Sequence, residues 1–244
     1  MTFRSGTKRN TGKLIVALTA IVVGAVALTG WTISRHSSGS QVSATPSSAP
    51  PPRDSVSTQD PLMAQRTKGD PDAPLTIYEI TDFGCPWCRE FYRLTLPALE
   101  REYIETGKAK LIFVNLPIPA LHPNSPAAHE FAMCAAQQDR FWPVHDLLYQ
   151  HQAAWATLED PRNFFTVLAD SAGLELDPLN TCFDTGSARW LVQQEAESVA
   201  QQGEITSTPS FIMETVMLAG YQPIEGWRPI LDSLFADKTG GTRP

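Results

Sequence analysis

The stretch that most limits what this chain can fold into is Phe83-Gly84-Cys85-Pro86-Trp87-Cys88-Arg89-Glu90-Phe91. It follows an apolar run, Leu75 to Ile80, that suits a buried strand, and it opens a segment patterned as helix. A strand that delivers two cysteines, two residues apart, onto a helix start predicts a redox site. Pro86 fits the first helical turn, where its missing N–H removes no helix bond and its fixed φ is already helical. Cys85 then meets unpaired backbone N–H groups and the positive end of the helix dipole, which favour a thiolate. Cys88 falls on the same helix face, within reach to close a disulfide. A half zinc site or an inert bridge is the competing reading. It is disfavoured because the sequence offers no second Cys-x-x-Cys and no His-x-x-x-His to complete four ligands.

The N-terminus points to export. Arg4, Lys8, Arg9 and Lys13 precede an uncharged run from Leu14 to Ile33, and Arg35 follows it. A run of that length can cross a hydrocarbon core as a helix, with the basic cluster left in the cytoplasm. Ala25-Val26-Ala27 also resembles a signal-peptidase site, so an uncleaved anchor and a removed signal peptide both stand for residues 1–35. Residues 36–61 are rich in Ser, Pro, Thr and Ala and predict a flexible tether, stiffened locally at Pro50-Pro51-Pro52. A net charge of −7 over 244 residues argues against a nucleic-acid partner, since phosphate recognition wants basic surface.

From residue 62 the chain reads as one domain, to about residue 236, with a tail at 237–244. A second buried strand is expected at Lys110 to Asn115, which makes a strand–helix–strand unit with parallel pairing and a right-handed crossover. Pro97 is expected to kink or divide the helix of that unit. An all-helical block then occupies about residues 121–203, with helix starts at Ser125-Pro126, Phe141, Asp160-Pro161, Leu176 and Ser187. Two short strands return at Phe211 to Met213 and Val216 to Ala219, and Ile224 to Ala236 closes the domain as an amphipathic helix. The fold class is α/β.

This order, βαβ with Cys-x-x-Cys, a helical insertion, then ββα, resembles the thioredoxin fold as elaborated in the DsbA-like thiol–disulfide oxidoreductases. Cys85-Pro86-Trp87-Cys88 matches that family's pair of cysteines around a Pro-plus-aromatic dipeptide. Thr208-Pro209, just before Phe211, matches its loop with a cis proline facing the active site. Glu79, six residues before Cys85, takes the place of a buried acid found in relatives. The sequence departs from thioredoxins proper, which carry Gly-Pro between the cysteines, and from DsbA members with His before the second cysteine. Trp87 at that place leaves the redox potential open, since a tenfold change in equilibrium is only ~30 mV for this couple.

The resemblance implies roles. Cys85 is the nucleophile and Cys88 the resolving thiol, exchanging between a dithiol and a redox-active disulfide. Pro209 holds backbone beside Cys85 for pairing with substrate and keeps metal off the dithiol, while Thr208 tunes the sulfur. Pro86 and Trp87 complete the substrate-facing surface. For Glu79 the readings are a buried carboxyl that relays a proton to Cys88, or else an edge residue turned to solvent or paired with a nearby lysine. Cys134 and Cys182 lie in the helical block and form either a structural disulfide, worth roughly 4 kcal/mol by loop closure, or two buried free thiols. Export favours the bridge, which some members of the family also carry.

The histidines His122, His129, His145 and His151 show no ligand-like pairing and read as surface or helix residues. Trp142, Trp155, Trp190 and Trp227 read as packing, and Asp82 and Arg89 as neighbours of the motif that either tune its field or are merely solvated. The function implied is oxidation of reduced exported proteins by a monomer that needs no bound cofactor. A membrane quinone-linked reoxidase, similar to DsbB or to a vitamin K epoxide reductase-like protein, would restore the disulfide. A reductase or isomerase serving cytochrome maturation or repair, and a holdase-like chaperone, are the alternatives.

Overall fold

The structure, a computed structural model, describes residue 60 and residues 62–240. The membrane or signal segment expected at 1–35, nearly all of the tether, and residues 241–244 lie outside the described residues. No helix among the described residues is long and apolar enough to cross a membrane.

Five strands form one sheet in the order β1-β3-β2-β4-β5. These are β1 (Thr67–Lys68), β2 (Leu75–Thr81), β3 (Ala109–Asn115), β4 (Ser210–Met213) and β5 (Val216–Ala219). The central pair β2 and β3 is parallel, with Glu79 opposite Phe113 and Thr81 opposite Asn115. Strands β1, β4 and β5 add in antiparallel fashion. The apolar run from Leu75 lacks clean alternation because both faces of β2 are covered. On one face Leu75, Ile77, Phe211 and Met213 pack with Phe91, Leu99 and Trp227. On the other, Ile80, Val114 and Ile212 meet Val199.

After β2 come α1 (Pro86–Glu90) and α2 (Leu96–Leu99), joined and followed by wide π-helical turns at Phe91–Thr95 and Glu100–Ile104. Pro97 does not break the run. It sits at the start of α2, directly after a wide turn, where no intrahelical bond to its nitrogen is required.

The helical insertion comprises α3 (Ser125–Ala136), α4 (Phe141–Gln150), α5 (Gln152–Trp155), α6 (Arg162–Ser171), α7 (Leu176–Thr185) and α8 (Ser187–Gln202). Its core continues into the sheet through Phe83, Phe113, Cys85 and Cys88. A Cys134–Cys182 disulfide ties α3 to α7 across a Cα–Cα distance of 5.8 Å. The closing helix α9 (Ile224–Thr239) runs three residues past its expected end. Trp155 and Trp227 are fully buried, but Trp190 is 59% exposed on α8 and packs no core.

Candidate active site

Cys85 stands at the N-cap of α1 in extended conformation, with Pro86 the first helical residue. Its thiol donates to the Thr208 carbonyl at 3.3 Å, and the Thr208–Pro209 peptide is cis. A hydrogen bond from the Cys88 thiol outweighs burial and, with contributions from the Thr208 side chain and the N–H groups of Cys88 and Trp87, brings the Cys85 thiol down to about 6. Cys88 is the opposite case. It has no exposed surface, and burial followed by the adjacent Cys85 pushes its thiol well up. Both cysteines are free thiols in the structure. Two sulfurs in one helical turn thus differ sharply in how readily they give up a proton. Beside them Trp87 is 60% exposed and stacks on Tyr221, with ring centroids 6.1 Å apart.

Glu79 lies on β2 between Phe113 of β3 and Phe211 of β4 and is 1% exposed. Burial raises its carboxyl to about 8, against weaker opposing effects of Thr81 and Lys68. Its Oε2 has no hydrogen-bond partner.

The segment entering α1 is held by residues that sequence reasoning undervalued. Asp82 is fully buried rather than solvated. Its carboxylate accepts the Gly84 N–H at 2.7 Å and the Ile118 N–H at 2.9 Å. It also accepts the Ser125 hydroxyl and pairs with His122 Nδ1 at 2.8 Å. Burial alone would raise this carboxyl, but its polar contacts prevail, Ser125 and His122 among them, and hold it at about 2.

His129 and His145, expected as surface or helix residues, do lie in helices, α3 and α4, but neither has any exposure. The hydrogen-bond chain through His129 fixes its tautomer. Glu195 on α8 accepts from the Asn115 amide nitrogen at 2.6 Å, which turns the Asn115 oxygen toward His129 Nδ1 at 2.7 Å. Nδ1 therefore carries the proton, and Nε2 accepts the Phe83 N–H at 3.2 Å. Gln152 donates to the carbonyls of Phe83 and Cys85 at 2.7 and 2.9 Å. The Cys85 N–H returns to the Asp82 carbonyl at 2.9 Å. Gly84 is required here, because a Cβ at that position would lie 2.4 Å from His122 Cβ. Most of these partners lie 30 to 80 residues from the motif, and only Asp82, adjacent to it, carried any sequence signal. Among the described residues no cluster of three or more His, Cys, Asp or Glu could hold a metal ion.

A parallel-centred sheet with a buried-and-poised cysteine pair at a helix start, facing a cis-proline loop, defines a protein of thioredoxin-like architecture. The thioredoxin family model matches residues 63–233, and the chain belongs to that family. Within it the chain is similar to a probable disulfide bond formation protein D of Bacillus anthracis, 40% identical over 88 residues, which are 36% of this chain and 41% of that protein. Disulfide bond formation protein D of Bacillus subtilis is 30% identical over 99 residues, 41% of this chain and 45% of that one. The chain thus aligns with less than half the length of these curated relatives. In structure it resembles Wolbachia pipientis alpha-DsbA1, with a TM-score of 0.65 and 22% identity over 72% of this chain and 92% of that one. It also resembles oxidised BdbD of Bacillus subtilis, with a TM-score of 0.60 and 22% identity over 70% and 92%. At that level of identity the likeness is one of fold: a thioredoxin-like sheet with an inserted helical subdomain.

Proposed function

We propose that this protein is a DsbA-like thiol–disulfide oxidoreductase that introduces disulfides into reduced proteins outside the cytoplasm. The observation that carries the reading is the contrast within one helical turn: a stabilised Cys85 thiolate beside a buried Cys88 thiol that holds its proton. In the oxidised form a substrate thiolate attacks Cys85 Sγ, and the Cys85–Cys88 bond breaks as a mixed disulfide forms. A second substrate thiolate then attacks the substrate sulfur, and Cys85 leaves as the stabilised thiolate. A good leaving group at Cys85 favours transfer of the disulfide to substrate, so the electrons end on the cysteine pair. The names of the Bacillus relatives, disulfide bond formation proteins, agree with that direction.

Thr208 and Pro209 border the sulfur and are the surface on which a substrate strand would lie; Pro86 sets the turn and Trp87 offers an exposed apolar face. Glu79 supplies the proton route to Cys88. Residues 1–35 would bring the domain across the membrane, as anchor or signal, and 36–61 would tether it there. A quinone-linked membrane reoxidase would regenerate the disulfide, and the working form would be a monomer.

Reduced, unfolded ribonuclease tests the reading. The oxidised protein should restore ribonuclease activity, and Cys85→Ser and Cys88→Ser should each abolish this, because neither holds a disulfide to transfer; given oxidised glutathione as the disulfide, Cys88→Ser should accumulate a mixed disulfide through Cys85 as reduced glutathione leaves. A wild-type protein that leaves ribonuclease reduced while cleaving insulin disulfides is a reductase. One that suppresses aggregation equally well as Cys85→Ser is a chaperone.

A further inference from the structure

Gln152 stands at the start of α5 in the helical insertion, far along the chain from Cys85. It is buried, and its amide nitrogen donates to two backbone carbonyls of the segment that enters α1. These are Phe83 at 2.7 Å and Cys85 at 2.9 Å. A carboxamide nitrogen carries two hydrogens in one plane, so both are used and one rigid group holds both carbonyls. The Cys85 carbonyl also accepts the Arg89 N–H at 3.2 Å, the first bond of α1. Phe83, two residues ahead of the N-cap, lies outside that ladder. Its N–H goes to His129 Nε2 of α3 at 3.2 Å. Two insertion helices therefore grip Phe83 from both sides. Between the two held carbonyls lies Gly84, the residue type whose backbone is freest to turn.

We propose that Gln152 is a positioning residue for Cys85, and that through it the helical insertion aims the Cys85 sulfur at the open N–H groups of α1. The proposal rests on the oxidoreductase reading above and assigns the insertion a share in the chemistry of the pair.

Cys85 is the N-cap of α1, with φ −75° and ψ 124°. Turning the peptide planes on either side of it swings the sulfur relative to the first turn. The stabilisation that unpaired N–H groups and the helix dipole give an anion is confined to that turn. As a thiol the sulfur donates to the Thr208 carbonyl at 3.3 Å. As a thiolate it can only accept, so it must exchange that carbonyl for donors. The Gln152 clamp holds the backbone still while the sulfur changes partner.

Without the amide hydrogens, two buried carbonyls lose a donor, which is costly, and Gly84 lets them turn to find another. The thiolate then loses its alignment. The disulfide has no charge to stabilise and loses nothing comparable. The reduced form weakens relative to the oxidised one, and the pair becomes a poorer oxidant.

The test uses the full-length reduced protein, with two readouts. One is iodoacetamide alkylation of Cys85 as a function of pH, and the other is equilibration of the pair against glutathione. Gln152→Met keeps the side-chain length and removes both donors. It should move the Cys85 titration upward from about 6 by about one pH unit, and the glutathione equilibrium about tenfold toward the disulfide. Gln152→Glu is the same size but its carboxylate only accepts, so both readouts should move in the same direction and at least as far. Cys134→Ala with Cys182→Ala, which lowers stability without touching the clamp, should move neither.

Readouts within about twofold of wild type in folded Gln152→Met would overturn the assignment. So would a Gln152→Glu protein that titrates as wild type, or an equal movement in the variant that lacks the Cys134–Cys182 bridge. If methionine does not fold at this site, Gln152→Glu against wild type carries the same comparison. A wild-type pair that glutathione disulfide does not oxidise refutes the oxidoreductase reading instead, so the two failures are separable.

Discussion

Burial strips the Glu79 carboxylate of water, so this side chain is neutral in the folded protein where it would be charged in the unfolded chain. Its folded value lies near 8 against an ordinary value of 4.5. Between those limits the native state binds the extra proton, so stability contributed by the neutral group is full below about pH 4.5 and declines as pH rises toward 8. Glu79→Gln removes the titration. In urea melts the variant should gain on wild type from pH 5 to pH 8.5, by on the order of 4 kcal/mol at complete titration. Equal pH profiles for the two proteins would contradict a buried neutral Glu79. At this scale the sequence was readable where chemistry is local. Cys85, Pro86 and Cys88 announce themselves by spacing, and Thr208-Pro209 by standing before a strand. His129, Asn115 and Gln152 do not, because their roles come from partners on other elements, and a lone histidine in a helix has no pattern that separates a buried acceptor from a solvated ring.

Among the elements, the four longer strands and the longer insertion helices followed from apolar runs and capping residues, while the short edge strand β1, the short helix α5 and the π-turns around Pro97 did not. Widening a helix by one residue per turn leaves the apolar pattern intact and shows only in the hydrogen bonds. The insertion is also where covalent chemistry supports packing. Cys134 and Cys182 are separated by 48 residues and are almost completely buried within the core shared by α3, α4, α6 and α7. Closing a loop of that length is worth about 4 kcal/mol in the chain-entropy model. Cys134→Ala with Cys182→Ala should therefore lower the denaturation free energy by about that amount. Dithiothreitol exchange at Cys85 should persist in the folded variant, because the bridge joins α3 to α7 and neither helix carries a reacting sulfur. Loss of exchange in a demonstrably folded variant would show that the bridge also shapes the motif.

For the domain as a whole, Arg66 joins segments that are far apart in sequence. It has no exposed surface and donates to the Phe113 carbonyl at 2.7 Å. It also pairs with Glu195 at 3.0 Å and with Asp60, just ahead of the domain. Glu195 in turn holds Asn115, which orients His129 beneath the Phe83 N–H. One run of polar contacts thus connects the entry of the chain, the middle of the sheet, the last insertion helix and the residue two before Cys85. Arg66→Ala would leave Glu195 with its charge largely buried and a partner lost, at a cost of about 3 kcal/mol or more. Chemical denaturation should record that loss, and a change below about 1 kcal/mol would mean that the pair contributes no more than a surface ion pair. Arg66 lies outside every motif in the sequence, since a single arginine near a domain boundary looks like solubility.

The division of the four cysteines into a buried bridge and a free pair has a practical corollary for counting. A thiol reagent applied to the reduced, folded protein has two sulfurs to find, and only Cys85 ionises readily near neutral pH. Labelling should proceed one equivalent at a time, with the first landing at a single known atom. Any protein captured by the Cys88→Ser variant is then attached at one defined position, so a mass spectrum of the adduct reads out the partner cysteine directly.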